Sequence, residues 1–244
     1  MIICWNKWET GGNIRGILVC HHKALIELTA NLNMPEDWPP SGHTEPQEYN
    51  RSERAVLVLG LLLTGLFGIS TFQSIAVGAE AYIGMWLDFA ASMGISILSA
   101  LVAGVAIVVV GLAVLLYGIV TPIHELIHYG VAKQLNLNPD FGFDEMRHVK
   151  NPRVVALSTG IPVWKNMLML IAPFVAIGFV AVSAMFAFDG LVAGIAGVVL
   201  WVNSASSSQD LYHYLRLLRM DPETKFANFE RDGEIRTEYV VPEQ

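Results

Sequence analysis

The chain has 244 residues, of which 53% are hydrophobic and only 15% are charged, and its formal net charge is −7. Soluble globular domains carry about 25% charged residues, so the composition excludes an ordinary soluble domain and equally a disordered or fibrous chain. The 15 Lys and Arg residues are outnumbered by 22 Asp and Glu and form no basic run, which excludes a nucleic-acid-binding protein. Two cysteines are too few for a disulfide framework.

The distribution of charge indicates membrane spans. Residues 55–120 contain only Glu80 and Asp88 as charged residues, and residues 166–202 contain only Asp189. Since a membrane-spanning helix needs about 20 mainly apolar residues, we predict four of them, at residues 55–79, 93–120, 166–188 and 191–209. Glu80 and Asp88 then fall in the first connection, and Asp189 in the last. The alternative, buried helices of a soluble protein, is disfavoured by the uncharged stretch at 93–120.

The basic residues predict the orientation of these spans. Five precede the first span, five lie between the second and the third, and five follow the fourth. With four spans, all of them fall on one side of the membrane, and the positive-inside rule makes that side the cytoplasm. We therefore expect a multi-pass protein of the cell membrane with both termini cytoplasmic.

This topology divides the chain into three segments. Residues 1–54 form a cytoplasmic N-terminal segment without a signal peptide, residues 55–215 the four-span membrane domain, and residues 216–244 a cytoplasmic tail. Residues 1–33 look unrelated to the rest of the chain, so a start at Met34 is an alternative reading of the N-terminus.

Two short strand pairs are predicted on the cytoplasmic side. In the loop between the second and third spans, Val154–Leu157 has strand character and Phe141–Phe143 is a candidate partner. In the tail, Phe226–Glu230 and Ile235–Val241 flank Asp232-Gly233, a hairpin turn signal. The expected fold class is an all-α membrane protein: a four-transmembrane-helix bundle with a small strand-containing cytoplasmic loop and a C-terminal hairpin.

The sequence His124-Glu125-Leu126-Ile127-His128 comes directly after the second span. Histidines four residues apart share one face of a helix, where both imidazoles can bind zinc. Glu125 adjoins the first histidine and can act as a general base towards a water molecule. The alternative is a pair of interfacial histidines without a metal, but imidazoles and a carboxylate at the end of a hydrophobic span are functional candidates by default.

Pro122 precedes the motif and predicts a kink or a restart of the helix, because proline leaves the carbonyl of Gly118 without its donor. Such a kink could open a path for water. Prolines are, however, tolerated in many spans without a catalytic reason, and the residues alone leave both readings open.

A third zinc ligand is expected from elsewhere in the chain. The loop offers Asp144, Glu145 and His148. The fourth span offers a polar stripe at helical spacing, formed by Asn203, Ser206, Ser207 and Asp210. Because the second and fourth spans run in the same direction, Asp210 would meet the histidines at the cytoplasmic end, and we rank it first. Asn203 would hydrogen-bond to a zinc ligand or stabilise an oxyanion. The alternative is that the polar residues of this stripe only pack against neighbouring helices. His213 is assigned to an amphipathic exit helix.

The chain resembles the zincin peptidase family, a group of small membrane proteins, and looks distantly like the site-2 protease class of intramembrane metalloproteases. The resemblance rests on Pro122–His128, Phe141–Phe143, Ala172-Pro173 and the segment from Asn203 to Leu211. It implies a four-helix membrane bundle with zinc held by His124, His128 and Asp210, and with Glu125 catalytic. Gln209 departs from the pattern, because a glycine is expected before the aspartate.

The predicted function is a zinc-dependent, membrane-embedded endopeptidase that hydrolyses peptide bonds of membrane or membrane-proximal substrates. Its partners would be the lipid bilayer and a membrane-protein or peptide substrate. The alternative is a catalytically inactive metal-binding module that binds a partner protein, in which a fourth ligand such as His213 or His148 would close the zinc site. A metal transporter is a weaker alternative, since the first and third spans carry no charged residues.

Overall fold

The structure is a computed structural model that describes residues 38–50, 52–146, 149–231 and 234–243. Residues 1–33 and His148, on which two sequence predictions fall, lie outside the described residues. The described part is mainly helical, with a few short strands. The helices are α1 (Glu53–Met93), α2 (Ile97–Ala113), a π-helical segment (Val114–Val120), α3 (Thr121–Gln134), α4 (Val163–Ala187), α5 (Gly190–Ser206) and α6 (Ser208–Leu217).

Within the described residues, three helical stretches are long and apolar enough to cross a membrane: Glu53–Met93, Ile97–Gln134 and Val163–Ala187. Helices α5 and α6 make a fourth if they are taken together as one span, although they are bent by 52° at Ser207. The coarse form of the prediction is thus confirmed: the described part is mostly helical and contains several helices that are long and apolar enough to span a membrane. The count of three or four depends on how the bent pair is treated.

The predicted first connection is wrong. Glu80 and Asp88 lie inside α1, which continues without a break to Met93, and the turn comes at Gly94. Two isolated charges do not interrupt a helix whose neighbours are good helix formers. Gly94 ends it because its backbone has φ +64°, a left-handed conformation that glycine adopts without steric cost.

Pro122 does not break the second long helix. The chain passes through seven residues of π-helix and resumes as α3 at Thr121. The Thr121 hydroxyl and its backbone N–H both reach the carbonyl of Leu116, the hydroxyl at 2.9 Å. Pro122 therefore lies in the first turn of α3, where a missing N–H is tolerated. The predicted interruption is a change of helical register, which turns the next residues to a new face.

Helices α1 and α5 approach each other closely at two glycines. A Cβ added to Gly78 would lie 2.6 Å from the Gly194 Cα, and one added to Gly194 would lie 2.7 Å from the Gly78 Cα. Small residues at such crossings allow the backbones of membrane helices to pack directly.

Gly78→Ala should destabilise the bundle by about 1–3 kcal/mol, the typical cost of overpacking. The measurement is the midpoint of thermal unfolding in detergent. Gly65→Ala, in the same helix with nothing within 4 Å of its added Cβ, is the matched control and should leave stability unchanged or slightly raised. Equal midpoints for the two variants would contradict this packing.

The strands that the structure describes form two small sheets. Strands β2 (Pro139–Met146) and β3 (Val149–Ala156) pair antiparallel, with Phe141 opposite Val154. Strands β1 (Gln47–Glu48), β6 (Glu234–Val240), β5 (Lys225–Arg231) and β4 (Ile161–Pro162) form the second sheet in that order. Both strand pairs predicted from the sequence are thus confirmed, while the turn residues Asp232 and Gly233 lie outside the described residues.

One hydrophobic core joins the strands to the ends of the helices. Its buried members come from α3, β3, β4, α4, α6 and β5: Ala132, Ala156, Ile161, Val163, Met169, Leu217 and Phe226. Burial of this apolar surface fixes the C-terminal part of α3 against the N-terminal part of α4 and the end of α6. This junction positions the candidate site.

Candidate metal centre

The two histidines of the motif lie on the inner face of α3. His124 and His128 are 9% and 6% exposed, and their ring centroids are 4.9 Å apart. Ala132, one turn further on, is fully buried against the core. Residues spaced by four lie on the same face of a helix. Because Ala132 is buried in the core, the histidines at positions 124 and 128 also face the interior of the protein.

Asp210 meets both histidines from the first turn of α6. Its Oδ2 atom lies 3.1 Å from His124 Nε2 and 3.5 Å from His128 Nε2. His124 and Asp210 are 86 positions apart in the sequence, so only the tertiary fold brings them together.

The three side chains have the composition and spacing of a zinc site. Their ligand atoms all lie within 4.8 Å of one another. Zinc bonds to imidazole nitrogen and carboxylate oxygen are about 2.0–2.2 Å long, so ligand atoms on a tetrahedron are about 3.3–3.6 Å apart. The two distances to Asp210 are close to this separation. Among the residues whose side chains the structure describes, 38–50, 52–142, 153–230 and 235–243, no fourth His, Cys, Asp or Glu joins the group.

The bend at Ser207 corrects the predicted polar stripe, which does not run along one straight helix. Nearby serines donate to carbonyls of their own helix: Ser204 Oγ to Leu200 at 2.7 Å, and Ser206 Oγ to Asn203 at 3.1 Å. Such back-bonding competes with the helical ladder and bends helices. Because of the bend, α6 leaves the axis of α5 at the point where Asp210 reaches the histidines.

Asn203 is fully buried, and its amide donates to the Phe174 carbonyl of α4 at 3.5 Å. Its Oδ1 atom and the Oγ of Ser207 are buried without a hydrogen-bond partner. The hydrogen bond of the Asn203 side chain is therefore to a neighbouring helix and not to the histidine–aspartate cluster. Its predicted supporting role stays a prediction.

Glu125 lies at the wall of a cleft beside the cluster. The cleft has a volume of about 240 Å³ and is lined by the π-helical segment, α3 and α5, including Tyr117, His124 and Ser206. The Glu125 carboxylate accepts a hydrogen bond from the backbone N–H of Val154 in β3. The carboxylate is thus held between the cleft and the strand, next to His124.

His128 makes a contact that the sequence pattern does not predict. Its Nδ1 atom lies 2.8 Å from the carbonyl oxygen of Met169 in α4. A carbonyl can only accept, so Nδ1 carries the proton and Nε2, the atom near Asp210, has the free lone pair. The contact of Glu125 with Val154 is equally invisible in the sequence, because backbone partners leave no residue-type signal.

Of the other ligand candidates, only His213 has a side chain that the structure describes. Asp144 and Glu145 lie in β2, but their side chains, like His148, fall outside the part of the chain that the structure describes. His213 Nδ1 lies 3.2 Å from the Tyr49 hydroxyl. Burial raises the pKa of Tyr49 to about 12, so the phenol stays protonated and shares a hydrogen bond with His213. The prediction that His213 belongs to an exit helix and not to the metal agrees with this placement in α6.

Comparisons with known proteins give one family match, and it covers the region around the cluster. Neither the curated proteins nor the solved structures contain a match to the chain. Residues 117–225 match the model of a family described as "Putative zincin peptidase". The matched segment holds the whole cluster, Glu125 and the β2–β3 hairpin. The resemblance to this zincin peptidase family predicted from the motif is thereby confirmed over residues 117–225.

Proposed function

We propose that the protein is a zinc-dependent endopeptidase that works in the membrane and cleaves peptide bonds of membrane or membrane-proximal substrates. The observation that carries the proposal is the buried group of His124, His128 and Asp210, with Glu125 beside it at the wall of a cleft. All four residues lie in helices that are candidates for membrane spans, if the bent pair counts as one.

His124, His128 and Asp210 would hold the zinc. When bound, zinc supplies Lewis acidity, which makes a water molecule more acidic and polarises a carbonyl oxygen. Glu125 takes a proton from the water whose oxygen adds to the scissile carbonyl carbon. When the carbon–nitrogen bond breaks, the same carboxyl group delivers that proton to the leaving amine. The products are a carboxylic acid and an amine, and Glu125 returns to its starting state.

Strand β3 is the element that could hold a substrate. A transmembrane helix must unwind before it is cut, since its backbone groups are otherwise paired with one another. Among the described strands, β3 pairs only with β2, and the backbone N–H of its Val154 contacts Glu125, so the other edge of β3 lies beside the candidate site. An opened peptide segment could add to such an edge by backbone hydrogen bonds, which would place its carbonyls close to Glu125.

The positions of the charged residues support four spans with a cytoplasmic site. Arg54 is in the first turn of α1, Lys133 is in the last turn of α3, and Lys165 is in the first turn of α4. Asp189 lies at the opposite end of α4, next to Gly190. Gly190 packs close to Ala81 in the middle part of α1, since a Cβ built on the glycine would be 3.6 Å from the Ala81 side chain. Under the positive-inside rule, the end with the basic residues and the metal cluster faces the cytoplasm.

Cysteine labelling tests this topology. After replacement of the two native cysteines, a single cysteine at Asp189 should react with a membrane-impermeant maleimide in intact cells. One at Lys150 should react only after permeabilisation, because it would lie on the cytoplasmic side. Labelling of Lys150→Cys in intact cells would contradict the orientation.

The function itself is tested by two measurements on the purified protein: its zinc content and its cleavage of membrane-protein substrates in detergent or in vesicles. We expect one zinc per chain and cleavage that a chelator abolishes and added zinc restores. Zinc without cleavage of any tested substrate would favour the metal-binding module without activity. Absence of zinc from a folded protein would contradict both.

A further inference from the structure

Helix α4 contains a buried proline, Pro173, in its interior. In a regular α-helix the N–H of residue 173 would donate to the carbonyl four residues earlier, that of Met169. Proline has no N–H, so it leaves the Met169 carbonyl without its helical donor. In a membrane helix a carbonyl freed in this way needs another donor, because the lipid offers none.

His128 is that donor. Its Nδ1 atom lies 2.8 Å from the Met169 oxygen, and both residues are buried. The bond fixes the ring orientation and places the proton on Nδ1, and it turns Nε2 towards Asp210 at 3.5 Å. Histidines that bind metals usually donate their second ring N–H in this manner, and such partners contribute to metal affinity.

We propose that Pro173 is a positioning residue of the metal centre. By keeping the Met169 carbonyl free of a helical hydrogen bond, it reserves that oxygen for His128 and so selects the tautomer whose Nε2 can bind the metal. The inference rests on the proposed zinc site and adds a residue that touches neither metal nor substrate. The position of α4 is supported independently, since the Lys165 ammonium group donates to the Leu135 carbonyl at 2.7 Å.

The test introduces an N–H at position 173. In Pro173→Ala the new N–H would compete with His128 for the Met169 carbonyl. A second variant carries lactic acid at position 173, introduced by nonsense suppression. It has the same methyl side chain as alanine but an ester oxygen in place of the N–H, so the two variants differ in the proposed cause and, beyond it, only in the weaker acceptor strength of the ester carbonyl at residue 172. Gly178→Ala, whose added Cβ meets only Leu200 at an ordinary 3.7 Å, controls for a general stiffening of α4.

The readouts are the zinc dissociation constant by chelator competition and the ring ¹⁵N shifts of His128 in the metal-free protein. We expect Pro173→Ala to weaken zinc binding about 10-fold, the lower end of the range for such partners, and to shift part of His128 to the Nε2–H tautomer. The lactic-acid variant and Gly178→Ala should bind zinc like the parent.

Three results would overturn the proposal, and they are distinguishable. If the parent binds zinc and the alanine and lactic-acid variants lose affinity equally, lost packing of the proline ring is the cause and the positioning role is wrong. Unchanged affinity in Pro173→Ala has the same consequence. If the folded parent binds no zinc, the proposed function fails and the inference fails with it.

Discussion

Glu125→Gln is expected to keep zinc at the parental level and to lower the rate of peptide cleavage by a factor of about 10²–10⁴, the usual contribution of a general base. Glu125 adjoins His124 but is not among the three clustered ligand candidates. Glutamine has nearly the same shape, and its amide oxygen can still accept from the Val154 N–H. What it cannot do is take a proton from water. The variant should therefore fold and bind metal while losing the chemical step.

The measurement is single-turnover cleavage of one substrate together with zinc content for each preparation. Glu80→Gln makes the same chemical change at an exposed position of α1 and should cleave at the parental rate. Cleavage by Glu125→Gln at the parental rate would contradict the assignment of Glu125 as the base. Loss of zinc from Glu125→Gln would instead indicate that Glu125 is needed to build the metal site.

Local sequence spacing predicts the first half of the candidate site. His124, Glu125 and His128 lie within five residues of one helix, where side-chain directions follow from the helical period alone. Asp210 is reached by a less direct step, since spans that cross the membrane in the same direction bring their ends to the same side. The structure places Asp210 Oδ2 within 3.5 Å of both histidines, although through a bend that the stripe argument does not include.

The helix ends, the π-helical segment and the partner of His128 depend on backbone geometry. Residue types predict backbone geometry less well than they predict side-chain chemistry. Charge predicts the first connection at Glu80 and Asp88, but helix ends are set by the backbone, and Gly94 is the stronger signal. The π-helical segment before Thr121 is likewise visible in the sequence only as a proline effect. The partner of His128 is a carbonyl, and its one trace in the sequence is Pro173, four residues after Met169.

Asp210→Ala is expected to lower zinc affinity by at least about 100-fold, because loss of a supporting partner alone costs 10–100-fold and Asp210 would be a direct ligand. Its carboxylate lies between two buried imidazoles, and a carboxylate near the hydrocarbon boundary is costly unless a cation or a donor compensates it. Removing it should leave two histidines as ligands, too few to hold zinc firmly.

Matched variants locate the third ligand. Asp210→His retains a ligating atom at the same position and should keep part of the zinc, whereas Asp144→Ala, Glu145→Ala and His148→Ala should keep all of it. Circular dichroism and thermal unfolding in detergent show whether each variant is folded, and zinc is measured by chelator competition. If folded Asp210→Ala holds stoichiometric zinc while one of the loop variants loses it, the third ligand comes from the loop. The approach of Asp210 to the histidines would then be an ordinary buried hydrogen bond, since an imidazole N–H and a carboxylate 3.1 Å apart need no metal between them.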